Sequence, residues 1–224
     1  MPSVLITGTS RGIGAGLARA FAERGWSVLA CARDPAAIPP IAGAVERHAL
    51  DVTDPGSIGA LAAGLAGRPL DLLINNAGIY GQRDARLGAI DWPAFTRVLE
   101  TNTLGPVRVS EALLPNLRSG RRRTIVTVSS VMGSIARTES AGALPYRTSK
   151  AAVNMAMRSI ARELADEGFT VVVVHPGWVR TDMGGPGAAI DVATSVRGLL
   201  ALIERLRPAD TGRFFDYSGA ELPW

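Results

Sequence analysis

The chain begins with a short apolar segment, Val4 to Ile6, that leads directly into Thr7-Gly8-Thr9-Ser10-Arg11-Gly12-Ile13-Gly14. A stretch of helical period starts at Gly12, so the glycines stand where a predicted strand passes into a predicted helix. Glycines at such a junction let the backbone turn tightly and approach a pyrophosphate, while the N–H groups and dipole of the helix N-terminus favour its negative charge. The Gly-x3-Gly-x-Gly spacing therefore predicts a dinucleotide-binding turn, with an ordinary glycine-rich turn as the alternative.

The same segment supports a competing interpretation. Residues Gly8-Thr9-Ser10-Arg11-Gly12 also form a Gly-x-Ser-x-Gly string with His175 downstream, as in hydrolases whose serine nucleophile stands on a strand-to-helix turn. Such an enzyme needs an oxyanion-hole loop on an earlier strand, and only six residues precede Thr7. A serine hydrolase is therefore a remote alternative.

Short segments rich in β-branched residues alternate with stretches of helical period along the whole chain. The predicted strands, several of them apolar on both faces as buried parallel strands are, run from Ser3 to Thr7, Ser27 to Ala32, Arg47 to Leu50, Leu70 to Asn75, Thr124 to Ser129, Thr170 to His175 and Gly212 to Phe215. The predicted helices run from Gly12 to Arg24, Pro55 to Leu65, Asp91 to Leu117, Pro145 to Glu167 and Asp191 to Leu206. Pro35, Pro39 and Pro40 argue against a full helix between the second and third strands. The pattern predicts a single doubly wound, Rossmann-type α/β domain over residues 1–224, with a mostly parallel seven-stranded sheet and a ligand crevice beyond the strand carboxyl ends.

Composition narrows the class of protein further. The 224 residues are 47% hydrophobic, and no apolar run approaches the roughly 18 residues that a membrane span needs. The single cysteine, Cys31, allows no internal disulfide, and no secretory leader precedes the first strand, so we expect a cytoplasmic protein. A net charge of +4 is weak evidence for nucleic acid binding, and Cys31 and His48 lack the spacing of metal ligands. We therefore expect no nucleic acid, membrane or metal partner.

The only lysine of the chain, Lys150, stands four positions after Tyr146. Residues four apart lie on one face of a helix, so this pair can present a phenol and an ammonium to one pocket. An ammonium is a compact charge that can stabilise a neighbouring phenolate, whereas a guanidinium is spread over a planar fork. The pair is a candidate catalytic unit, although an arginine-rich composition that leaves one lysine by chance is the alternative.

Further strings accompany the glycine turn and this pair. They are Asn75-Asn76-Ala77-Gly78 after the fourth strand, Asn102 in the long helix, Ser129-Ser130 after the fifth strand, and His175-Pro176-Gly177 after the sixth. Together these motifs resemble the short-chain dehydrogenase/reductase family, and the segments Trp178 to Pro186 and Leu222 to Trp224 resemble its C-factor-like carbonyl reductase branch. The resemblance implies an NAD(P)-dependent oxidoreductase that reduces an aldehyde, ketone or quinone to an alcohol. A binding-class alternative is a catalytically weak dinucleotide sensor or signalling protein.

The resemblance also implies catalytic roles. Tyr146 would be the proton donor, helped by the positive charge of Lys150, because a bare phenol titrates near pH 10. Lys150 would also hold the nicotinamide ribose, and Ser130, rather than Ser129, would place the substrate oxygen. Asn102 would take part in a water relay to the lysine, with a surface-facing side chain as its ordinary alternative. For Ser129, capping of the strand end is the ordinary alternative.

The predicted cofactor contacts extend over the whole crevice. Asp51 matches the residue that binds the adenine, although it is also a candidate helix cap before Pro55. The full predicted set is Gly8, Ser10, Arg11, Gly12, Ile13, Gly14, Arg33, Asp51, Val52, Asn75, Ala77, Gly78, Tyr146, Lys150, Pro176, Gly177, Val179 and Thr181.

The end of the second strand predicts which cofactor is preferred. NAD-specific relatives place an acidic residue there, and this chain has Ala32 followed by Arg33. Arg33 and Arg11 are candidates to bind a 2′-phosphate, which predicts NADPH over NADH. If the strand ended two residues later, Asp34 would face the ribose and favour NADH instead.

Three expectations concern loops and assembly. Fifteen residues separate Ser130 from Tyr146, a few more than is usual in the family, so Arg137 to Pro145 is predicted to form an enlarged substrate loop. The early helix start at Asp191 leaves little chain for a closing lid. By analogy with the family, we expect the long helices to pair two copies into a homodimer or homotetramer.

Overall fold

The computed structural model describes residues 1–224 and contains one sheet of seven parallel strands, in the order β3-β2-β1-β4-β5-β6-β7. The strands are β1 Ser3–Thr7, β2 Ser27–Ala32, β3 Val45–Ala49, β4 Leu72–Asn75, β5 Thr124–Val128, β6 Thr170–His175 and β7 Phe214–Asp216. This confirms the predicted doubly wound α/β class, and every strand pair is parallel.

Buried apolar side chains cover both faces of the central strands. Along β1, Leu5 packs into one hydrophobic cluster while Val4 and Ile6 pack into a second cluster on the opposite face, because successive side chains of a strand alternate. Strand β3, at the edge of the sheet, has no buried residue. Because both faces of the sheet are buried, the central strands are continuous apolar runs in the sequence.

Helices cover the two faces. They are α1 Gly12–Glu23, α2 Pro55–Gly64, α3 Trp92–Leu99, α4 Gly105–Ala112, α5 Leu114–Ser119, α6 Leu144–Glu163 and α7 Val192–Arg205. Aspartates cap three of them, since the side chains of Asp54, Asp91 and Asp191 accept hydrogen bonds from the first turns of α2, α3 and α7. None of the helices combines the length and the apolar character that crossing a membrane requires.

The single long helix predicted from Asp91 to Leu117 is wrong. The segment is divided into α3, a π-helical stretch from Glu100 to Leu104, α4 and α5. Pro106 and Pro115 lie in the first turns of α4 and α5, where proline is tolerated because the first N–H groups of a helix have no partner within it. The wider π-helical turn lies at the predicted site residue Asn102.

Several predicted ends are also displaced. Strand β3 begins at Val45, because pairing with β2 starts there, and it ends one residue before the predicted Leu50. Strand β4 starts at Leu72 rather than Leu70, and β5 ends at Val128 rather than Ser129. Strand β7 starts at Phe214, beyond Gly212, whose φ of +75° is unsuited to a strand.

The proline-rich connection between β2 and β3 holds only a 3-10 turn, Pro35–Ala37, as the prolines predict. Farther along, α6 begins at Leu144, one residue before the predicted Pro145, and it ends at Glu163, with a separate 3-10 turn at Ala165–Glu167. The segment before α6, from Arg137 to Gly142, is exposed and irregular.

The order of the strands sets the position of the crevice. Strand β1 pairs with β2 on one side and with β4 on the other, so the chain crosses the sheet in opposite directions from this point. Helix α1 packs against α7, and α2 packs against α4. Connections that diverge to opposite sides leave a cleft at the carboxyl ends of β1 and β4.

Candidate active site

A cavity of about 660 Å³ occupies this cleft. Its wall includes most of the predicted cofactor residues, namely Gly8, Ser10, Arg11, Gly12, Ile13, Gly14, Arg33, Asp51, Val52, Ala77, Gly78, Tyr146, Lys150, Pro176 and Thr181. A volume of this size is within the range of ligand pockets in proteins. The sequence therefore identified residues that the fold brings to one cavity.

The glycine turn has no room for side chains. A Cβ on Gly14 would lie 2.2 Å from the carbonyl oxygen of Gly8, and a Cβ on Gly8 would lie 2.9 Å from Cα of Ala77. Gly8 and Gly12 have φ of +73° and +58°, a region that L side chains rarely adopt. The backbone of the turn is thus exposed to the cavity at the start of α1, an arrangement that fits a pyrophosphate.

Asn75 does not line the cavity, contrary to its prediction as a cofactor contact. It is buried, and its Nδ2 donates to Ser110 Oγ at 3.1 Å. Its neighbour Asn76 lines the cavity instead, and donates from Nδ2 to the carbonyl oxygens of Thr7 and Gly8. Because successive residues after a strand face different sides, the sequence string alone did not separate the two asparagines.

The end of β2 resolves the choice between Arg33 and Asp34. The strand ends at Ala32, and both Ala32 and Arg33 line the cavity. Asp34 is outside it, and its carboxylate accepts a hydrogen bond from Ala36 N at 2.9 Å in the 3-10 turn. The alternative in which Asp34 faces the cavity is therefore wrong.

Asp51 and Arg33 both line the cavity, where they follow the neighbouring strands β3 and β2. Its side chain accepts hydrogen bonds from Thr53, and these, together with the charge of Arg33, lower the pKa of Asp51. The cap of α2 is Asp54, so the alternative role of Asp51 as that cap is wrong. Asp51 thus remains a charged acceptor within the cavity.

Arg11 has a partner that the sequence did not indicate. Its guanidinium forms an ion pair with Asp182 at 3.0 Å, and both side chains are largely exposed. Both residues also line the cavity, so the pair joins the glycine turn to the loop that follows β6. Asp182 is a cavity residue that the sequence analysis did not include.

Only some of the cofactor contacts predicted in the loop after β6 line the cavity. Pro176 and Thr181 line the cavity, whereas Gly177 and Val179 do not. Val179 is buried and forms an isolated parallel bridge with Ile190. Gly177 has φ of +87°, and a Cβ there would lie 2.5 Å from Ile190 Cδ1. These two residues shape the loop rather than the cavity surface.

Tyr146 and Lys150 lie in the first two turns of α6, and both are buried. The ammonium of Lys150 donates to Val128 O at 2.9 Å, which ties it to the end of β5, and it lies 5.6 Å from the centroid of the Tyr146 ring. The helix therefore brings the phenol and the ammonium to one end of the cavity, as the spacing of the two residues predicts.

The Ser129–Ser130 string follows β5 and lies beside this pair. Ser130 interacts with the Tyr146 hydroxyl, and its Oγ also accepts from Met132 N at 3.1 Å, so it caps the 3-10 turn Val131–Gly133. Ser129 lines the cavity and its Oγ donates to Lys150 O at 3.4 Å. Ser130 thus begins the 3-10 turn, and Ser129 connects the end of β5 to α6.

Asn102 is 1% exposed, so its surface-facing alternative is wrong. Its Oδ1 accepts from Ile79 N at 2.9 Å, and its Nδ2 donates to Ile79 O at 2.8 Å and to Ser149 Oγ at 3.0 Å. Ser149 Oγ in turn donates to Tyr146 O at 2.8 Å. Asn102 does not line the cavity, and it connects the loop after β4 to α6.

Burial dominates the acid–base properties of the two central groups. It raises the pKa of the Tyr146 phenol to about 12, although the interaction with Ser130 acts in the opposite direction. It lowers the pKa of the Lys150 ammonium to about 8. At neutral pH the phenol therefore keeps its proton, and the lysine is close to its own titration.

The cavity also has lining residues that the sequence did not suggest. Arg97 comes from α3, and Glu100 and Thr101 come from the π-helical stretch. A continuous helix was predicted over this region, and its period gave no signal for a surface facing the cleft. Two of the three, Glu100 and Thr101, lie where the regular helix is interrupted.

The structure does not assemble a hydrolase site around Ser10. Ser10 lines the cavity, whereas His175 does not, and burial lowers the pKa of His175 to about 4. His175 is paired in register with Asp216 of β7. No group of three or more His, Cys, Asp or Glu side chains comes together in a way that could hold a metal ion.

Comparison with known proteins agrees with this geometry. The family model of short chain dehydrogenases matches residues 2–189. The chain belongs to the short-chain dehydrogenase family. The family predicted from the motifs is thus confirmed, and the chain is an oxidoreductase by membership.

Individual relatives are similar over most of the chain. C-signal of Myxococcus xanthus is 50% identical over 165 residues, which cover 74% of this chain and 99% of that protein. The 1-hydroxy-2-glutathionyl-2-methyl-3-butene dehydrogenase of Rhodococcus sp. strain AD45 is 35% identical over 230 residues, covering both chains completely. The crystal structure of the NADPH-bound carbonyl reductase from chicken fatty liver is 34% identical, with a TM-score of 0.89 over 100% of this chain and 99% of that one. These similarities agree with the carbonyl reductase branch that the sequence indicated.

Proposed function

We propose that this short-chain dehydrogenase is an NADPH-dependent reductase that converts an aldehyde, ketone or quinone to an alcohol. The observation that carries the proposal is that Tyr146 and Lys150 line a cavity whose other walls fit a dinucleotide, while Ser130 interacts with the Tyr146 hydroxyl from outside that wall. The NADPH-bound chicken carbonyl reductase, similar over the whole chain, supports the cofactor and the reaction class.

The residues of the cavity fit NADPH along its length. The glycine turn would hold the pyrophosphate, Asp51 and Val52 would contact the adenine, and Arg33 would meet the 2′-phosphate. Pro176, Thr181 and Lys150 would hold the nicotinamide end. When bound, NADPH supplies the hydride that a carbonyl carbon accepts.

The protein's own groups supply the proton. The phenol of Tyr146 stays protonated at neutral pH, because burial raises its pKa to about 12. Tyr146 then donates its proton to the carbonyl oxygen while the carbonyl carbon gains a hydride, so that an alcohol forms. The Lys150 ammonium stabilises the phenolate left behind, and Ser130 orients the substrate oxygen toward the phenol. Asn102 supports these groups through the hydrogen bonds that join the loop after β4 to α6.

The decisive experiment measures NADPH consumption against a broad panel of aldehydes, ketones and quinones, with the Tyr146→Phe variant in parallel. We expect turnover by the wild type and a loss of roughly hundredfold or more in the variant, since general acid catalysis is typically worth that much. NADPH affinity and Tm should be unchanged, because the phenylalanine ring fills the same space. Retention of kcat by Tyr146→Phe would refute the assignment of the proton donor.

A dinucleotide-binding signalling protein is the second candidate, favoured by the similarity to C-signal. The same panel separates the two candidates. Tight NADPH binding without turnover of any carbonyl compound would favour signalling, whereas turnover favours the reductase.

We also propose that two or four copies assemble. Leu104, beside α4, and Met155, on α6, are exposed large apolar side chains on the segments expected to pair. Light scattering at micromolar concentrations should give the mass of a dimer or tetramer, and a monomer mass would reject the assembly. A cytoplasmic location stays a prediction, checked by cell fractionation.

A further inference from the structure

An aromatic side chain lies face to face with the proposed proton donor. The rings of Tyr80 and Tyr146 have centroids 4.4 Å apart and planes 16° apart. Tyr80 stands in the loop after β4 and does not line the dinucleotide cavity. Its ring therefore contacts the phenol without forming part of the wall expected to meet NADPH.

The two stacked residues are anchored to the same buried amide. On one side, Asn102 holds both backbone groups of Ile79, the residue directly before Tyr80. On the other side, Asn102 donates to Ser149 Oγ, which donates to the carbonyl oxygen of Tyr146. The backbone segments beneath the two rings are thus fixed relative to each other through one side chain.

The second face of the Tyr80 ring is also covered. The guanidinium carbon of Arg83 lies 4.4 Å from the ring centroid, and since Tyr146 occupies one face, Arg83 lies over the other. Arg83 Nη2 donates to Met183 O at 2.6 Å, in the loop after β6. The guanidinium therefore links the loops that follow β4 and β6 and confines Tyr80 between itself and the phenol.

We propose that Tyr80 is a positioning residue that holds the Tyr146 ring in the orientation needed for proton transfer, and that Arg83 keeps Tyr80 in place. The inference rests on the proposed role of Tyr146 as the proton donor. A phenol side chain has two rotatable bonds, and proton transfer requires its hydroxyl to lie within hydrogen-bond distance of the substrate oxygen. Packing against one face of the ring restricts rotation about these bonds, so the hydroxyl spends more time in the orientation that allows proton transfer.

Two substitutions of Tyr80 distinguish the contribution of its ring from that of its hydroxyl. Tyr80→Leu removes the stacked ring, and Tyr80→Phe keeps it. An aromatic pair of this kind contributes an amount equivalent to roughly two- to tenfold in rate, so we expect kcat of Tyr80→Leu to fall by about that factor. Tyr80→Phe should have wild-type kcat, and both variants should bind NADPH with wild-type Kd, measured by fluorescence titration.

Arg83→Leu tests whether the guanidinium keeps Tyr80 in place, with Arg86→Leu as its matched control. Both arginines are exposed and belong to the same loop, and Arg86 makes no side-chain hydrogen bond or ion pair. We expect a lower kcat for Arg83→Leu and wild-type kcat for Arg86→Leu. Equal kcat in these two variants would remove Arg83 from the proposal.

Tyr146→Phe in the same assay distinguishes failure of the positioning role of Tyr80 from failure of the proton-donor role of Tyr146. If Tyr146→Phe loses activity while Tyr80→Leu keeps wild-type kcat, the positioning role is refuted and the proposed function stands. If Tyr80→Phe loses as much kcat as Tyr80→Leu, the hydroxyl rather than the stacked ring is responsible, which also refutes it. If Tyr146→Phe keeps its activity, the assignment of Tyr146 as the proton donor fails, and the role of Tyr80 fails with it.

Discussion

Removal of the Arg33 guanidinium should change cofactor preference more than cofactor binding in general. Arg33 follows the last residue of β2, lines the cavity, and is close enough to Asp51 for its charge to lower the pKa of that carboxyl. Hydrogen bonds to charged groups contribute about 1.5 to 3 kcal/mol. Because Arg33 is exposed, we take the lower end, which corresponds to roughly a tenfold rise in the Kd of NADPH for Arg33→Ala.

The matched control is Asp34→Ala, which removes an exposed charge at the next position. Asp34 lies outside the cavity, so its loss should leave the Kd of both cofactors within about twofold. NADH lacks the 2′-phosphate, so its Kd should likewise be unchanged in Arg33→Ala. Calorimetric titration of both cofactors at one ionic strength measures these values. A parallel loss of NADPH and NADH affinity, or no loss of NADPH affinity, would refute the assignment of Arg33.

Four other outcomes are expected. Asp182→Asn frees Arg11 from an exposed ion pair worth at most about 1 kcal/mol, so NADPH should bind up to about fivefold more tightly by calorimetry, and weaker binding would contradict a phosphate role for Arg11. Lys150→Arg should lower kcat by roughly hundredfold or more, because a planar guanidinium cannot replace the buried ammonium; wild-type kcat would show that the charge alone suffices. The wild-type kcat should fall as pH rises through about 8, where Lys150, whose pKa is lowered by burial, loses its charge; a flat profile from about pH 7 to 9.5 would argue against this role. Gly14→Ala should abolish NADPH binding and lower Tm, since its Cβ would lie 2.2 Å from Gly8 O, and normal binding would mean that the turn can yield.

The predicted and observed elements differ most where the chain is locally irregular. The seven strands were recognised because buried parallel strands are continuous apolar runs, and their ends moved by one to a few residues because pairing with neighbours sets where a strand begins. The prediction of one helix from Asp91 to Leu117 was wrong because the apolar pattern continues across a π-helical turn. Periodicity registers which residues face the core and does not register a local widening of the helix.

Among the site residues, spacing in sequence was informative where one element carries the whole unit. Tyr146 and Lys150 are four apart on one helix, so their proximity follows from helical geometry. The glycine turn is likewise local, since Gly8 and Gly14 constrain each other across a few residues. In contrast, the fact that Asn76 rather than Asn75 lines the cavity depends on which side of the strand end faces the cleft.

The sequence by itself determined the fold class, the family and the chemical groups of the site, because these depend on local patterns: apolar runs, a glycine turn and a phenol one helical turn from an ammonium. Only the tertiary structure decided the ion pair of Arg11 with Asp182 and the stack of Tyr80 on Tyr146. The first contact joins the loops that follow β1 and β6, and the second joins the loop after β4 to the start of α6. Their partners are far apart in the chain and meet only because parallel strands bring their carboxyl ends to the same edge.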